Sequence, residues 1–257
     1  MSRKTILEEN REYWTGRAAG YNEVNRLELE TDQRRKWKAC LQEEIESHFP
    51  EREAHSLQVL EVGTGPGFFA ILLCELGYAV TAVDLTPAML EKAEENAGHS
   101  AGEIRFLEMN AEALAFPDES FDVVISRNLT WNLPHPDRAY AEWTRVLKPG
   151  GLLLNFDANW YAYLFDEGAQ AAYDRDRLNS AERGVWDQNV GENFDVMEDI
   201  ARRVPLSNIR RPAWDLEQLA LLGLHAEADE RIWQRVWSEE EKLNFASTPL
   251  FLVRGKK

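Results

Sequence analysis

Residues 57–67 read Leu-Gln-Val-Leu-Glu-Val-Gly-Thr-Gly-Pro-Gly, and residues 79–84 read Ala-Val-Thr-Ala-Val-Asp. Between them lies Phe-Phe-Ala-Ile-Leu-Leu-Cys-Glu-Leu, residues 68–76, apolar enough for a helix packed on a sheet. Strand, glycine turn, helix and a second strand ending in an acid describe one nucleotide-binding βαβ unit. Leu57, Val59, Leu60 and Val62 form the first strand. Gly63, Gly65 and Gly67 remove side chains where the backbone turns sharply and lies close to a ligand. Asp84 ends the second strand, where a carboxylate can accept both hydroxyls of a ribose. A glycine turn by itself is also compatible with a loop that binds nothing. The dinucleotide pattern places its third glycine where this chain has Phe68, so the spacing disfavours a nicotinamide dehydrogenase.

Working outward, strand and helix patterns alternate. Strand 57–62 leads to helix 67–76, and strand 79–84 leads to a helix opened by Thr86 as N-cap and Pro87 at its first position. Residues 104–108 make a third strand, and 121–126, nearly all apolar, a fourth that is central in a parallel sheet. A helix at 137–147, closed by Lys148-Pro149-Gly150-Gly151, precedes a fifth strand at 152–156. Such alternation means a doubly wound α/β sheet with right-handed crossovers. Residues 158–211 carry no strand signal and read as a helical insertion. A helix at 213–222, a sixth strand at 225–237 and a seventh at 248–254 complete the chain. Ahead of the sheet, residues 1–56 form a helical cap. In it, Glu28 to Phe49 carries an amphipathic helix with Leu29, Trp37, Cys40, Leu41, Ile45 and Phe49 on one face, ended by Pro50. The division is therefore a cap at 1–56 and a ligand-binding domain at 57–257.

Composition narrows the partners. With 45 acids against 29 lysines and arginines, the formal charge is −16. That charge lacks the basic footprint of a nucleic-acid binder and disfavours anionic membrane surfaces. The pairs Arg202-Arg203 and Arg210-Arg211 read as solvated surface charge. Two cysteines, Cys40 and Cys74, give neither a metal spacing nor a disulfide framework. The polar N-terminus lacks the apolar core of a signal peptide, and no stretch approaches the roughly 20 apolar residues of a membrane span. A cytoplasmic protein is expected.

The pattern Glu61-Val-Gly-Thr-Gly-Pro-Gly67 resembles the first motif of the class I S-adenosylmethionine (SAM) methyltransferases. Residues 109–117 (MNAEALAFP), 119–126 (ESFDVVIS) and 145–154 (RVLKPGGLLL) resemble later segments of that family in the right order and spacing. The resemblance implies a Rossmann-like, seven-stranded, mostly parallel sheet with an antiparallel last strand, flanked by N-terminal helices and an insertion that form a lid. It implies SAM as cofactor. Glu61, Gly63, Gly65 and Gly67 would hold its methionine part, Asp84 its ribose, and Leu85, Asn110 and Ala111 its adenine. Arg127 would contribute backbone near the methionine amino group, and Tyr21 or Tyr13 would close over the cofactor. Where the family often has Asp, this chain has Asn110, which still accepts through its amide oxygen.

SAM carries an already activated methyl group, so the protein's share is alignment, exclusion of water and, for a protonated nucleophile, a base. The acceptor is expected above the C-terminal ends of the strands, beneath the cap and the insertion. Those regions hold Trp14, Trp37, Trp160, Tyr161, Tyr163, Phe165, Tyr173, Trp186 and Phe194, which suit a small or medium organic acceptor or equally pack the cap itself. Substrate contacts are expected from Trp14, Asn128, Trp131, Asn132, Trp160 and Trp186. His135 and Asp157 are the candidate bases; a surface turn and a solvated acid are the respective alternatives. No metal-ligand cluster is visible. A small-molecule methyltransferase is the leading reading. A methyltransferase of RNA or protein is disfavoured by charge and by Arg127-Asn-Leu-Thr130 after the fourth strand. A non-catalytic methyltransferase-like subunit would have no need of Glu61, the glycines and Asp84. The acceptor atom, the pathway and the oligomeric state are not written in the sequence.

Overall fold

The computed structural model describes residues 4–187 and 193–257; part of the insertion, 188–192, lies outside the described residues. Two helices come first, α1 (Ile6–Glu30) and α2 (Asp32–His48). Then follow β1 (Gln58–Val62), α3 (Phe68–Glu75), β2 (Ala79–Asp84), α4 (Pro87–Ala97), β3 (Arg105–Glu108), β4 (Phe121–Arg127), α5 (Pro136–Val146) and β5 (Leu147–Asp157). The insertion supplies α6 (Glu167–Glu182) and α7 (Phe194–Ala201), and α8 (Ala213–Leu221), β6 (His225–Asp229), α9 (Trp233–Val236), α10 (Glu239–Asn244) and β7 (Phe251–Lys256) close the chain. The seven strands lie in the order β3-β2-β1-β4-β5-β7-β6. Neighbours from β3 to β5 pair in parallel, whereas β7 runs antiparallel to both β5 and β6. This is the expected Rossmann-like sheet with one reversed strand.

Alternate residues of the central strands feed two cores. Val59, Val123, Ile125, Leu152, Leu154 and Phe156 pack with Trp37, Leu41 and Ile45 of α2 and with Phe69 and Leu72 of α3. Leu60, Val62, Val124 and Leu153 face Tyr140 and Trp143 of α5 and Leu219 of α8. Burial on both faces explains why β1 and β4 read as continuous apolar runs. Trp37 is wholly buried against Phe69 and Phe156, so it is part of this core and not of a lid.

Four sequence expectations are corrected. The helix expected over 28–49 breaks at Thr31, whose extended backbone ends α1 and opens α2. Thr86 stands at the N-cap of α4, but its side chain caps nothing; its backbone N–H donates instead to Asp84 Oδ1 at 2.9 Å. Lys148 to Gly151 do not merely close a helix, because they already run in β5, tied to the end of β7 by Gly150 N–H to Lys257 O and Lys257 N–H to Gly151 O. The sixth strand stops at Asp229, whose carboxylate takes the N–H of Arg231 at 2.8 Å and turns the chain. Beyond it, Ile232 and Val236 recur four residues apart, a spacing that a short helix on α2 buries as well as a strand would.

Candidate functional site

The sheet reverses its strand order between β1 and β4, and the C-terminal ends of β1, β2 and β4 open a crevice there. The loop after β1 is shaped by Gly63 and Thr64, whose N–H groups both donate to Val83 O on β2, at 2.8 and 3.0 Å. Gly63 has φ +75°, and a Cβ on it would meet the Leu129 side chain at 2.7 Å. Only glycine tolerates both conditions. Gly65 N–H donates to Asp84 Oδ2 at 2.9 Å, so the second strand's acid is already fastened to the glycine turn.

These ends line a cavity of about 950 Å³, solvent at its mouth included. Tyr21, Glu61, Gly63, Gly65, Asp84, Leu85, Asn110, Ala111 and Arg127 all face it, and so do the expected substrate contacts Trp14, Asn128 and Asn132. Gly67 does not. It begins α3 with φ +90°, and a Cβ there would lie 2.9 Å from Ala93 Cβ. Its absent side chain lets α3 and α4 approach. Asn110 Oδ1 accepts the N–H of Glu112 at 3.0 Å, leaving its second lone pair and its amide N–H groups free to meet a ligand.

The chemistry of the lining is that of an acceptor. Glu61 is buried, and that burial pushes its carboxyl up to about 8 against the opposing hydrogen bond from Thr64 Oγ1, at 2.6 Å. Burial raises Asp84 too, opposed by the N–H groups of Gly65 and Thr86. The side-chain oxygens of Asn10, Asn128 and Asn132 are buried without a partner. Orphaned acceptors are costly unless a ligand supplies donors. A nucleoside with ribose hydroxyls and an amino-acid ammonium does so, and SAM has both. The set therefore fits that cofactor.

A second cavity of about 1180 Å³ adjoins the first. Trp14, Tyr21, Arg127 and Asn128 line both. Trp131, Trp160, Tyr161, Tyr163 and Phe194 wall the second, with Trp131 and Tyr161 stacked at 4.9 Å. Trp186 is exposed, lies outside this wall and offers its carbonyl to Asn244. Phe165 is likewise exposed, while Tyr173 stacks on Tyr163 from behind at 4.1 Å.

Residues 60–155 match the family described as a methyltransferase domain. Over that stretch the chain carries a methyltransferase domain. Its curated relatives include a demethylmenaquinone methyltransferase of Deinococcus radiodurans, 39% identical over 140 residues, covering 53% of this chain and 55% of the relative. A ubiquinone/menaquinone biosynthesis C-methyltransferase of Rhodopseudomonas palustris is 34% identical over 142 residues, covering 53% and 54%. The chain spans about half the length of these relatives. Among solved structures, a chain from the complex of the Haloferax volcanii Trm112 methyltransferase activator with a methyltransferase aligns at TM-score 0.58 and 18% identity, over 95% of this chain and 96% of that one. Haemonchus contortus phosphoethanolamine N-methyltransferase 2, solved with SAM, aligns at TM-score 0.55 and 17% identity, over 83% and 51%. These two share the fold.

Neither candidate base lines either cavity. His135 is exposed at the start of α5, outside both cavities, and its backbone alone is engaged among the described residues: the N–H donates to Glu112 Oε1 at 2.8 Å and the carbonyl accepts from Ala139 N–H at 3.2 Å. Asp157 is fully buried and saturated. It takes Arg211 Nη1 at 2.6 Å, the N–H groups of Trp131 and Ala158, the indole of Trp160 at 3.1 Å and the hydroxyl of Thr130. Every lone pair is used, and these bonds tie the post-β4 loop to the end of β5. Arg211, read in the sequence as surface charge, is buried between Asp157 and Asp215. Arg127 lines both cavities, and its guanidinium pairs with Glu28 of α1 and lies 4.7 Å from the Trp37 ring centroid and 5.1 Å from that of Phe68. Sequence reading missed Arg17, Glu28 and Glu241, all on the second cavity. The signal was present for two of them, since Tyr13, Trp14, Arg17, Tyr21, Val24 and Glu28 repeat every three to four residues along one stripe of α1. Among the described residues no cluster of metal-ligating side chains occurs, and no helix is long and apolar enough to cross a membrane.

Proposed function

We propose that the protein moves the methyl group of SAM to a small organic acceptor by in-line displacement, with the cofactor in the first cavity and the acceptor in the second. One observation carries this reading: the two cavities share Trp14, Tyr21, Arg127 and Asn128, so a molecule in each would meet across that partition. Bound SAM supplies a methyl carbon on a positively charged sulfur. Glu61 and the Gly63–Gly65 backbone hold the amino-acid end, Asp84 accepts from the ribose, and Leu85, Asn110 and Ala111 border the base. Helix α1 roofs both cavities and the insertion walls the second, and together they exclude water, which strengthens the polar contacts beneath them. Because the acceptor chamber is built from α1, the insertion and the C-terminal segment, the acceptor is set largely outside residues 60–155.

Titration calorimetry with the demethylated cofactor, S-adenosylhomocysteine, tests the reading. Binding is expected, and Asp84→Ala should weaken it by about tenfold or more, as loss of a charged hydrogen-bond partner does. Absence of binding at millimolar ligand would overturn it.

A further inference from the structure

The second cavity holds four ionisable groups besides its tyrosines: Arg17, Glu28, Arg127 and Glu241. Glu28 and Arg127 neutralise each other in a buried pair. Glu241 accepts from Gln33 and from the N–H of Ser238, and burial beside Glu28 pushes it up to about 7, which disfavours its charge. Arg17 is different. Among the described residues its side chain makes no hydrogen bond and no ion pair, and its Nε–H is buried without a partner. Its guanidinium lies along α1 over Gly20, where a Cβ would stand 3.7 Å from Nη1. A guanidinium stays protonated whatever its surroundings. Arg17 is thus a cation of this chamber that no carboxylate among the described residues pairs with, set among aromatic rings.

Arg17 lines the second cavity and not the first, so it stands on the acceptor's side of the Trp14–Tyr21–Arg127–Asn128 partition. Resting on the cofactor assignment above, we infer that the acceptor is a flat aromatic molecule bearing one anionic oxygen group, a carboxylate or an ionised ring hydroxyl, which Arg17 holds while Trp14, Trp131, Tyr161 and Phe194 enclose the ring. The planar fork of Arg17 matches two oxygens at once. The aromatic walls also suit an organic ammonium, but the carboxylates that would assist one are spent on Arg127 and on Gln33 and Ser238.

The test is calorimetry on the whole chain, saturated with S-adenosylhomocysteine, using three probes of one shape: 2-naphthoate, neutral 2-naphthamide and 2-naphthylmethylammonium. Naphthoate should bind about tenfold tighter than the amide, the increment of a charge-assisted hydrogen bond. Arg17→Gln should bring the two within threefold of each other, leaving the amide and S-adenosylhomocysteine unchanged. Arg17→Lys should keep much of the preference. Preference for the ammonium, an Arg17→Gln variant that still favours naphthoate, or binding of none of the three overturns the inference. If S-adenosylhomocysteine fails to bind, the cofactor assignment falls, and the same panel run without it still reads the anion site.

Discussion

Glu61 sits at the end of β1 with 3% of its surface exposed. Its carboxyl, raised by burial to about 8 from an ordinary 4.5, keeps in the folded chain a proton that the unfolded chain releases. Between those two values the folded state binds more protons, so stability falls as pH rises, by about 1.4 kcal/mol per pH unit where the difference is one whole proton. Glu61→Gln should flatten that slope. Urea unfolding at pH 5 and pH 8 measures it, and parallel curves for both proteins would contradict the assignment. A ligand ammonium beside Glu61 favours its ionised form, so binding at pH 7 should release protons, read from calorimetry in buffers of different ionisation enthalpy. His135 offers the contrast. Exposed and outside both cavities, it should tolerate Ala with activity within twofold and stability within about 0.5 kcal/mol. A larger loss of activity would restore it as a base.

Elements meet through a few contacts that single substitutions can break. Gly67 combines a left-handed backbone with the near approach of Ala93 on α4. Gly67→Ala should cost about 1–3 kcal/mol, and Ala93→Gly should recover only part of it, because the backbone strain stays. Denaturant unfolding decides this; full recovery would mean that crowding alone was at fault. The polar knot beside the second cavity joins α5, β5 and α8. Arg211 bridges Asp157 and Asp215, the Tyr140 hydroxyl donates to Asp215 at 2.6 Å, and Asn155 donates to Tyr140 at 2.8 Å. Arg211→Met strands two buried carboxylates and should lose about 3–5 kcal/mol. Asp157→Asn should lower the melting temperature while its pH–rate profile keeps the wild-type shape. Loss of one limb of that profile would instead make Asp157 a base.

Across the whole molecule, α1 behaves as a roof and α2 as a wall. The sheet core contains Trp37, Leu41 and Ile45 of α2, whereas α1 crosses both cavities and is held by separate polar ties. Asn10 donates to Asn132 O at 2.8 Å, Arg11 pairs with Glu108 and Asn96 donates to Asn22 at 2.7 Å. A roof fastened by few buried apolar contacts opens more easily than the sheet. S-adenosylhomocysteine should therefore slow hydrogen exchange in α1 by about tenfold, with little change in β1 and β4. Equal slowing everywhere would mean that only global stability had risen.

The sequence by itself determined the alternation of the sheet, the glycine turn at Gly63 to Gly67 and the acids Glu61 and Asp84 beside it, because those features are local. Apolar runs of strand length, glycines at a turn and an acid at a strand end act within a few residues of one another. Element ends were less legible where two structures satisfy one pattern, as in the stretch that holds β6 and α9. Tertiary structure decided the rest. Asp157, read as a candidate base or a solvated acid, and Arg211, read as surface charge, are 54 positions apart; only the fold buries them against each other. Likewise Arg17, Glu28, Arg127 and Glu241 come from three distant segments, and no spacing along the chain announces that they share a chamber. A side chain's partner across the fold depends on how helices pack on the sheet, which is why the second cavity became readable only in three dimensions.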